Sequence, residues 1–337
     1  METEKRSLSK ASLATLIEQL NGNGAVVIGP QKKDNLVVFE PLHTLAEMTD
    51  EYIATTQSPK DVAFPKIERL FNYHVTQFFV DQEAPVKNYP EVVLIGARPC
   101  DAAGFDSLTA IFTWDTKDTL YMERLALTTL IGMSCSSHDA NCFCTSVNGH
   151  PGSTHGSDIL LTRMCKGDFI AEIVTEKGKA LYDKYAGLFG PDSGEDKTKY
   201  LTEVPVKFDV AETVKKATGM FEHPIWLEQS LRCIGCGACA YVCPTCACFD
   251  IQDESAGSNG HRVRCWDSCG FGLFTLHTSG HNPREVQSQR WRQRVLHKFS
   301  YMPDRLSLVG CVGCGRCSRA CPVDMNLSEH MVSIAEA

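Results

Sequence analysis

Two stretches of this 337-residue sequence repeat one arrangement of cysteines, LRCIGCGACAYVCP at 231–244 and VGCVGCGRCSRACP at 309–322. Cys233, Cys236, Cys239 and Cys243 precede Pro244, and Cys311, Cys314, Cys317 and Cys321 precede Pro322, so both follow C-x2-C-x2-C-x3-C-P. Three closely spaced thiolates can wrap one face of a [4Fe–4S] cubane, while the fourth, carried off on the following turn of helix, reaches a neighbouring cluster. The spacing therefore predicts crossed ligation. One cluster takes Cys233, Cys236, Cys239 and Cys321; the other takes Cys311, Cys314, Cys317 and Cys243. Gly235, Gly237, Gly313 and Gly315 stand between the cysteines, where a tight turn can aim backbone N–H groups at sulfur. Structural zinc also uses C-x2-C pairs, but four ligands suffice for it, and two full motifs exceed that need.

A second group lies upstream. Cys100 follows the apolar run Glu91–Ile95, and Cys135 follows Leu127–Met133; Cys142 and Cys144 come soon after in NCFC. If the two runs are neighbouring parallel strands, these thiols emerge at one carboxyl edge, where open α/β sheets bind their ligands. Four thiols would suffice for a third cubane or for zinc, and cysteine is also a common buried filler. Five cysteines remain: Cys165, Cys246, Cys248, Cys265 and Cys269. They read first as non-ligands, either buried fillers or S–H donors near the clusters.

Seventeen cysteines in a chain of this length, 12 of them beyond residue 230, point to metal or redox chemistry in a reducing compartment rather than to a disulfide scaffold. The start, METEKRSLSK, is charged and unlike a secretory signal, and no apolar run approaches a membrane span. A cytoplasmic protein is expected. The net charge of −8 argues against a nucleic-acid partner. No P-loop, nucleophile elbow or dinucleotide fingerprint is present, so no flavin or nucleotide is expected on this chain.

The elements that must hold these thiols follow from periodicity. Leu13, Leu16, Ile17 and Leu20 mark an amphipathic helix over 9–20. Strands are expected at 25–28, 36–39, 91–95, 127–133, 159–163 and 169–174, with helices near 102–113, 177–188 and 209–221. The alternation predicts a βαβ unit in a partly parallel sheet. The polar stretch 190–204 reads as a linker or exposed loop. The expected class is α+β: an α/β domain over 1–215 with the upstream cysteines, then an all-helical two-cluster ferredoxin-type domain over 216–337. A helix at 285–298 supports the helical reading of the long gap between motifs. Its basic run (Arg284, Arg290, Arg292, Arg294, His297, Lys298) reads as a solvated face, or alternatively as charge that offsets anionic clusters or docks an acidic partner.

With these residues in place, the chain resembles the iron–sulfur beta subunit of cytoplasmic sulfhydrogenase-type [NiFe] hydrogenases and is similar to the iron–sulfur subunit of anaerobic sulfite reductase. HPIW at 223–226, CIGCGACAYVCPTCACFDIQD at 233–253, WDSC at 266–269, GHNPR at 280–284, RWRQRVLHK and CVGCGRCSRACP at 311–322 carry the resemblance, together with the upstream CD and SC…NCFC. The first 90 residues match only loosely. The resemblance implies three [4Fe–4S] clusters, the third on Cys100, Cys135, Cys142 and Cys144. It further implies two partners: an FAD/NAD(P)-binding flavoprotein subunit, and a terminal oxidoreductase, either [NiFe] hydrogenase or a sulfite-type reductase. The function it suggests is electron transfer within an anaerobic multisubunit oxidoreductase, with no catalytic residue on this chain. Two alternatives are a stand-alone enzyme that binds substrate at a cluster lacking one protein ligand, and a redox-sensing protein.

Overall fold

The computed structural model describes residues 3–76, 79–83 and 88–337. Its main sheet has eight strands. In chain order the strands are β1 (Glu4–Leu8), β2 (Val26–Lys33), β3 (Leu36–Pro41), β4 (Ile67–Val75), β5 (Val80–Glu83), β6 (Val92–Ala97), β7 (Thr128–Met133), β8 (Ile159–Arg163), β9 (Phe169–Ile173), β10 (Phe189–Gly190), β11 (Phe249–Ala256) and β12 (Asn259–Trp266). The large sheet runs β10-β1-β9-β8-β7-β6-β2-β3. Strands β2, β6, β7 and β8 are mutually parallel, and the outer strands are antiparallel.

Residues on β6 and β7 are apolar on both faces because both faces are covered. Val93, Ile95, Ile131 and Met133 point into a core that contains Leu13, Leu16, Ile17 and Leu20 of helix α1 (Lys10–Gly22). Leu94 and Leu130 point the other way, toward Phe105, Leu108 and Phe112 of helix α2 (Pro99–Thr113) and Tyr121 of helix α3 (Thr119–Ala126). The expected βαβ unit is β6-α2-α3-β7. Helix α4 (Glu176–Lys184) and a 3-10 turn at Ala186–Leu188 fill the span expected as helix at 177–188. The polar stretch 190–204 is mostly irregular, with one 3-10 turn at Lys197–Tyr200.

Helix α5 (Val210–Gly219) begins the C-terminal helical set: α6 (Ile225–Ser230), α7 (Ala238–Tyr241), α8 (Gln287–Leu296), a π-turn at His297–Tyr301, α9 (Met302–Leu306), α10 (Arg316–Arg319) and α11 (Leu327–Glu336). Their core gathers Trp226, Trp291, Val295, Phe299, Met331 and Ile334, and it accepts Phe143, Val147 and Phe208 from upstream.

One expectation needs correcting. The gap between the two motifs is not all-helical: β11 and β12 form a hairpin that joins β4 and β5 in a four-stranded antiparallel sheet. Its turn is Gly257-Ser258, with Gly257 at φ +63°, as primed two-residue hairpin turns require. The strand signal is hidden because β11 is exposed throughout and carries Asp250, Asp253 and Glu254. Cross-strand charge pairs hold it instead. Arg262 donates to both Asp253 oxygens at 2.8 and 2.7 Å, and His261 pairs with Glu254 at 2.8 Å. Buried Glu68 of β4 lies between Arg124 of α3 and Arg264 of β12, which ties the hairpin to the large sheet.

Candidate metal centres

The repeat is visible in the backbone. Gly235 and Gly237 have φ +69° and +75°, and Gly313 and Gly315 have +62° and +71°. Only glycine holds such pairs without strain. Each pair turns the chain into a short helix, α7 or α10, and the fourth cysteine follows that helix. The turns are also tightly covered. A Cβ on Gly237 would strike the Phe271 ring, and one on Gly313 would lie 2.5 Å from the Phe143 carbonyl.

The thiols ring two adjoining hollows. Cys233, Cys236, Cys239, Cys317 and Cys321 line the first, with Gln287, Arg290 and Trp291. Cys243, Cys311, Cys314 and Cys317 line the second, with Phe143, Arg294 and Lys298. Cys321 thus stands beside the first motif's triplet and Cys243 beside the second's, with Cys317 between the two hollows. Among the described residues, no three His, Cys, Asp or Glu side chains converge on a point as the ligands of a single ion would. The thiols instead line the walls of the two hollows.

Donors to sulfur are already in place. The amide of Gln287 donates to Cys233 Sγ at 3.1 Å, the Gly313 N–H to Cys311 Sγ at 3.5 Å and Lys298 Nζ to Cys243 Sγ at 3.5 Å. Burial pushes the Cys239 and Cys311 thiols up to about 12 and Cys314 to about 11. Binding iron must therefore displace their protons.

The upstream cysteines also meet. Strands β6 and β7 are parallel neighbours, so Cys100 at the start of α2 and Cys135 just past β7 leave the sheet at the same edge. Cys100 and Cys144 line one cavity of about 600 Å³, which also touches Cys311. Cys135, Cys142 and Cys144 lie close enough for their charges to interact. Burial raises Cys100 well above the ordinary thiol value, with Asp101 adding to it, and raises Cys144 to about 12.

This third group is fastened to the second motif. The Phe143 N–H donates to Gly313 O at 2.9 Å. Arg316 of α10, 1% exposed, pairs with Asp101, the residue after Cys100, at 2.6 Å and donates to Thr55 O at 2.9 Å. Arg319 forms a fork on Asp139, both bonds 2.7 Å, and donates to Cys142 Sγ at 3.2 Å. Its hydrogen bonds hold the Asp139 carboxyl down at about 2.

The basic run of the sequence splits in two. Arg294 and Lys298 are buried, at 4% and 3% exposure, whereas Arg284, Arg290 and Arg292 lie nearer the surface. Arg294 donates to Cys239 O at 2.9 Å and to Cys246 Sγ at 3.6 Å. Lys298 sits on the π-turn and donates to Thr245 Oγ1 at 2.8 Å and Gly310 O at 2.7 Å. Lys60, also buried, donates to the Ala240 and Cys246 carbonyls and lies 4.0 Å over the Trp266 ring. None of the three has a carboxylate partner among the described residues. A basic run at helical spacing contained the signal for Arg294 and Lys298, since residues four apart share a face; nothing local marked Lys60.

Residues 232–325 match the family model of a 4Fe-4S dicluster domain. Over 321 residues the chain is also 27% identical to the Sulfhydrogenase 2 subunit beta of Pyrococcus furiosus, an alignment covering 92% of this chain and 91% of that one. No solved structure matches. The chain is thus similar to a sulfhydrogenase beta subunit over most of its length, and its C-terminal part is similar to a domain that carries two [4Fe–4S] clusters. No helix among the described residues is long and apolar enough to cross a membrane.

Proposed function

We propose that this chain relays single electrons, in the cytoplasm, between a terminal catalytic subunit, a hydrogenase or a sulfite-type reductase, and an FAD/NAD(P)-binding flavoprotein subunit. Three [4Fe–4S] clusters would be held by Cys233, Cys236, Cys239 and Cys321; by Cys311, Cys314, Cys317 and Cys243; and by Cys100, Cys135, Cys142 and Cys144. When bound, such clusters supply one-electron oxidation and reduction at potentials set by charge, burial and N–H···S bonds. The chain's own residues supply that setting. Gln287, the Gly313 amide, Arg319 and Lys298 reach ligand sulfurs, and Cys243 and Cys314 are buried. We take residues 1–215 and 216–337 as the two units, with α5 straddling the division and packing on the second.

The observation that carries this reading is the gathering of all three thiol groups in one row. The upstream group abuts the second motif through Phe143, Asp101–Arg316 and Asp139–Arg319, and the second motif shares Cys317's surroundings with the first. At the far end the first motif reaches the surface, where Cys236 is exposed and Ile234 is 66% exposed. A row with one end at the surface suits passage between partners rather than chemistry inside one chain. Purification of the native complex and identification of its subunits tests this. A flavoprotein and a terminal oxidoreductase should co-purify; a stable monomer with neither would contradict it.

A further inference from the structure

Three thiols outside the proposed ligand sets, Cys246, Cys248 and Cys269, line one open cavity of about 380 Å³. Cys248 and Cys269 stand on the same wall of it, close enough for their side chains to interact. The chain is held in this position from both sides, since the Asp267 N–H donates to Cys248 O at 3.0 Å and the Ser268 side chain is fully buried. Basic side chains form the rest of the wall: Lys298 and Arg294 at the back, His297 at the mouth and Arg284. The Arg284 guanidinium has no hydrogen-bond or ion-pair partner among the described residues; only its backbone is engaged.

Two neighbouring thiols thus share a cation-lined cavity with a guanidinium free to hold an anion. We propose that Cys248 and Cys269 are a redox-active dithiol that reacts with a small organic disulfide carrying carboxylates, its charge held by Arg284. One cysteine sulfur, as thiolate, attacks a substrate sulfur; the substrate S–S bond breaks and one substrate thiol leaves with a proton. The second cysteine sulfur then attacks the first, releasing the second substrate thiol. The substrate disulfide is reduced to two thiols, and the dithiol is oxidised to the Cys248–Cys269 disulfide with no further oxidant. Only the later re-reduction of that disulfide rests on the electron relay proposed above.

The test uses the full cluster-loaded chain under anaerobic conditions, with Cys165→Ser and Cys265→Ser to silence two unrelated thiols. The probe is the dianionic disulfide 5,5′-dithiobis(2-nitrobenzoate). The expected result is a Cys248–Cys269 cross-linked peptide by mass spectrometry with two probe thiolates released. Cys248→Ser should release one and leave a mixed disulfide on Cys269. Arg284→Gln should slow the dianionic probe about tenfold, yet leave the neutral 2,2′-dithiodipyridine unchanged. Iron content and the cluster EPR signals should not change in Cys248→Ser. Absence of the cross-link with iron intact overturns the proposal. So does loss of iron in Cys248→Ser, which would make these thiols ligands. Failure of the relay itself would show as missing iron or silent EPR in the unmodified chain, a separate readout from the cross-link.

Discussion

Lys298→Met should lower the reduction potential of one cluster in the dicluster domain. The ammonium is 3% exposed and 3.5 Å from Cys243 Sγ, and its other contacts are neutral oxygens. Burial alone would drive off its proton, but the charges of Cys243 and Cys246 hold its pKa above the ordinary lysine value. It therefore remains a cation, and a cation favours the more negative, reduced form. An added electron spreads over iron and sulfide, so a mean separation of about 7 Å, twice the N···S distance, is reasonable. With an effective dielectric of about 20 this gives about 2 kcal/mol, or about 100 mV for one electron. EPR-monitored redox titration of the cluster-loaded protein reads it directly. Lys298→Met should move one midpoint about 100 mV more negative, while Lys298→Arg should stay within a few tens of mV of the unmodified protein. A shift under about 20 mV with iron content intact, or any positive shift, would refute the reasoning.

Gly313→Ala places a Cβ 2.5 Å from the Phe143 carbonyl at φ +62°, and its strain of roughly 1–3 kcal/mol should loosen the upstream segment from the second motif. Metal analysis should show iron lost, whereas Gly22→Ala, with open space around it, should keep its full complement. Cys321→Ser should remove the same EPR signal as Cys233→Ser; sharing the signal lost in Cys311→Ser would mean that ligation is not crossed. His330 meets Trp291 edge-on at 5.0 Å between ring centroids, and burial lowers its pKa from 6.5 to about 4. The unfolded chain thus takes up this proton first as pH falls. Stability is fully present above about pH 6.5 and declines toward pH 4, by at most about 3 kcal/mol for this partly exposed ring. Denaturant midpoints measured across that window should fall less in His330→Gln than in the unmodified protein.

The parts of the fold written in local periodicity were legible. The apolar runs that became β6, β7, β8 and β9 are covered on both faces, so their sequence is continuous, and α1 shows its buried stripe plainly. Strands β4, β11 and β12 were not legible, because charged side chains pair across them and because β12 finds β4 nearly two hundred residues away. The gathering of Cys100 and Cys135 could be read from one assumption, parallel neighbouring strands, which holds. The counter-charges could not. Arg316–Asp101 and the Lys60 contacts join segments remote in sequence, and no spacing rule links them. Arg294 and Lys298 were visible as charges, but their burial is tertiary, set by the π-turn and the packing of α8 against the cysteine loops.

The central claim is that three [4Fe–4S] clusters lie in a row along this chain. Iron and acid-labile sulfide counted per chain, together with EPR spin quantitation during stepwise reduction, test it most directly. About twelve irons and twelve sulfides per chain, with three magnetically interacting spins on full reduction, are predicted. About eight irons would remove the upstream cluster, and zinc in place of iron and sulfide would contradict the electron-relay role as a whole.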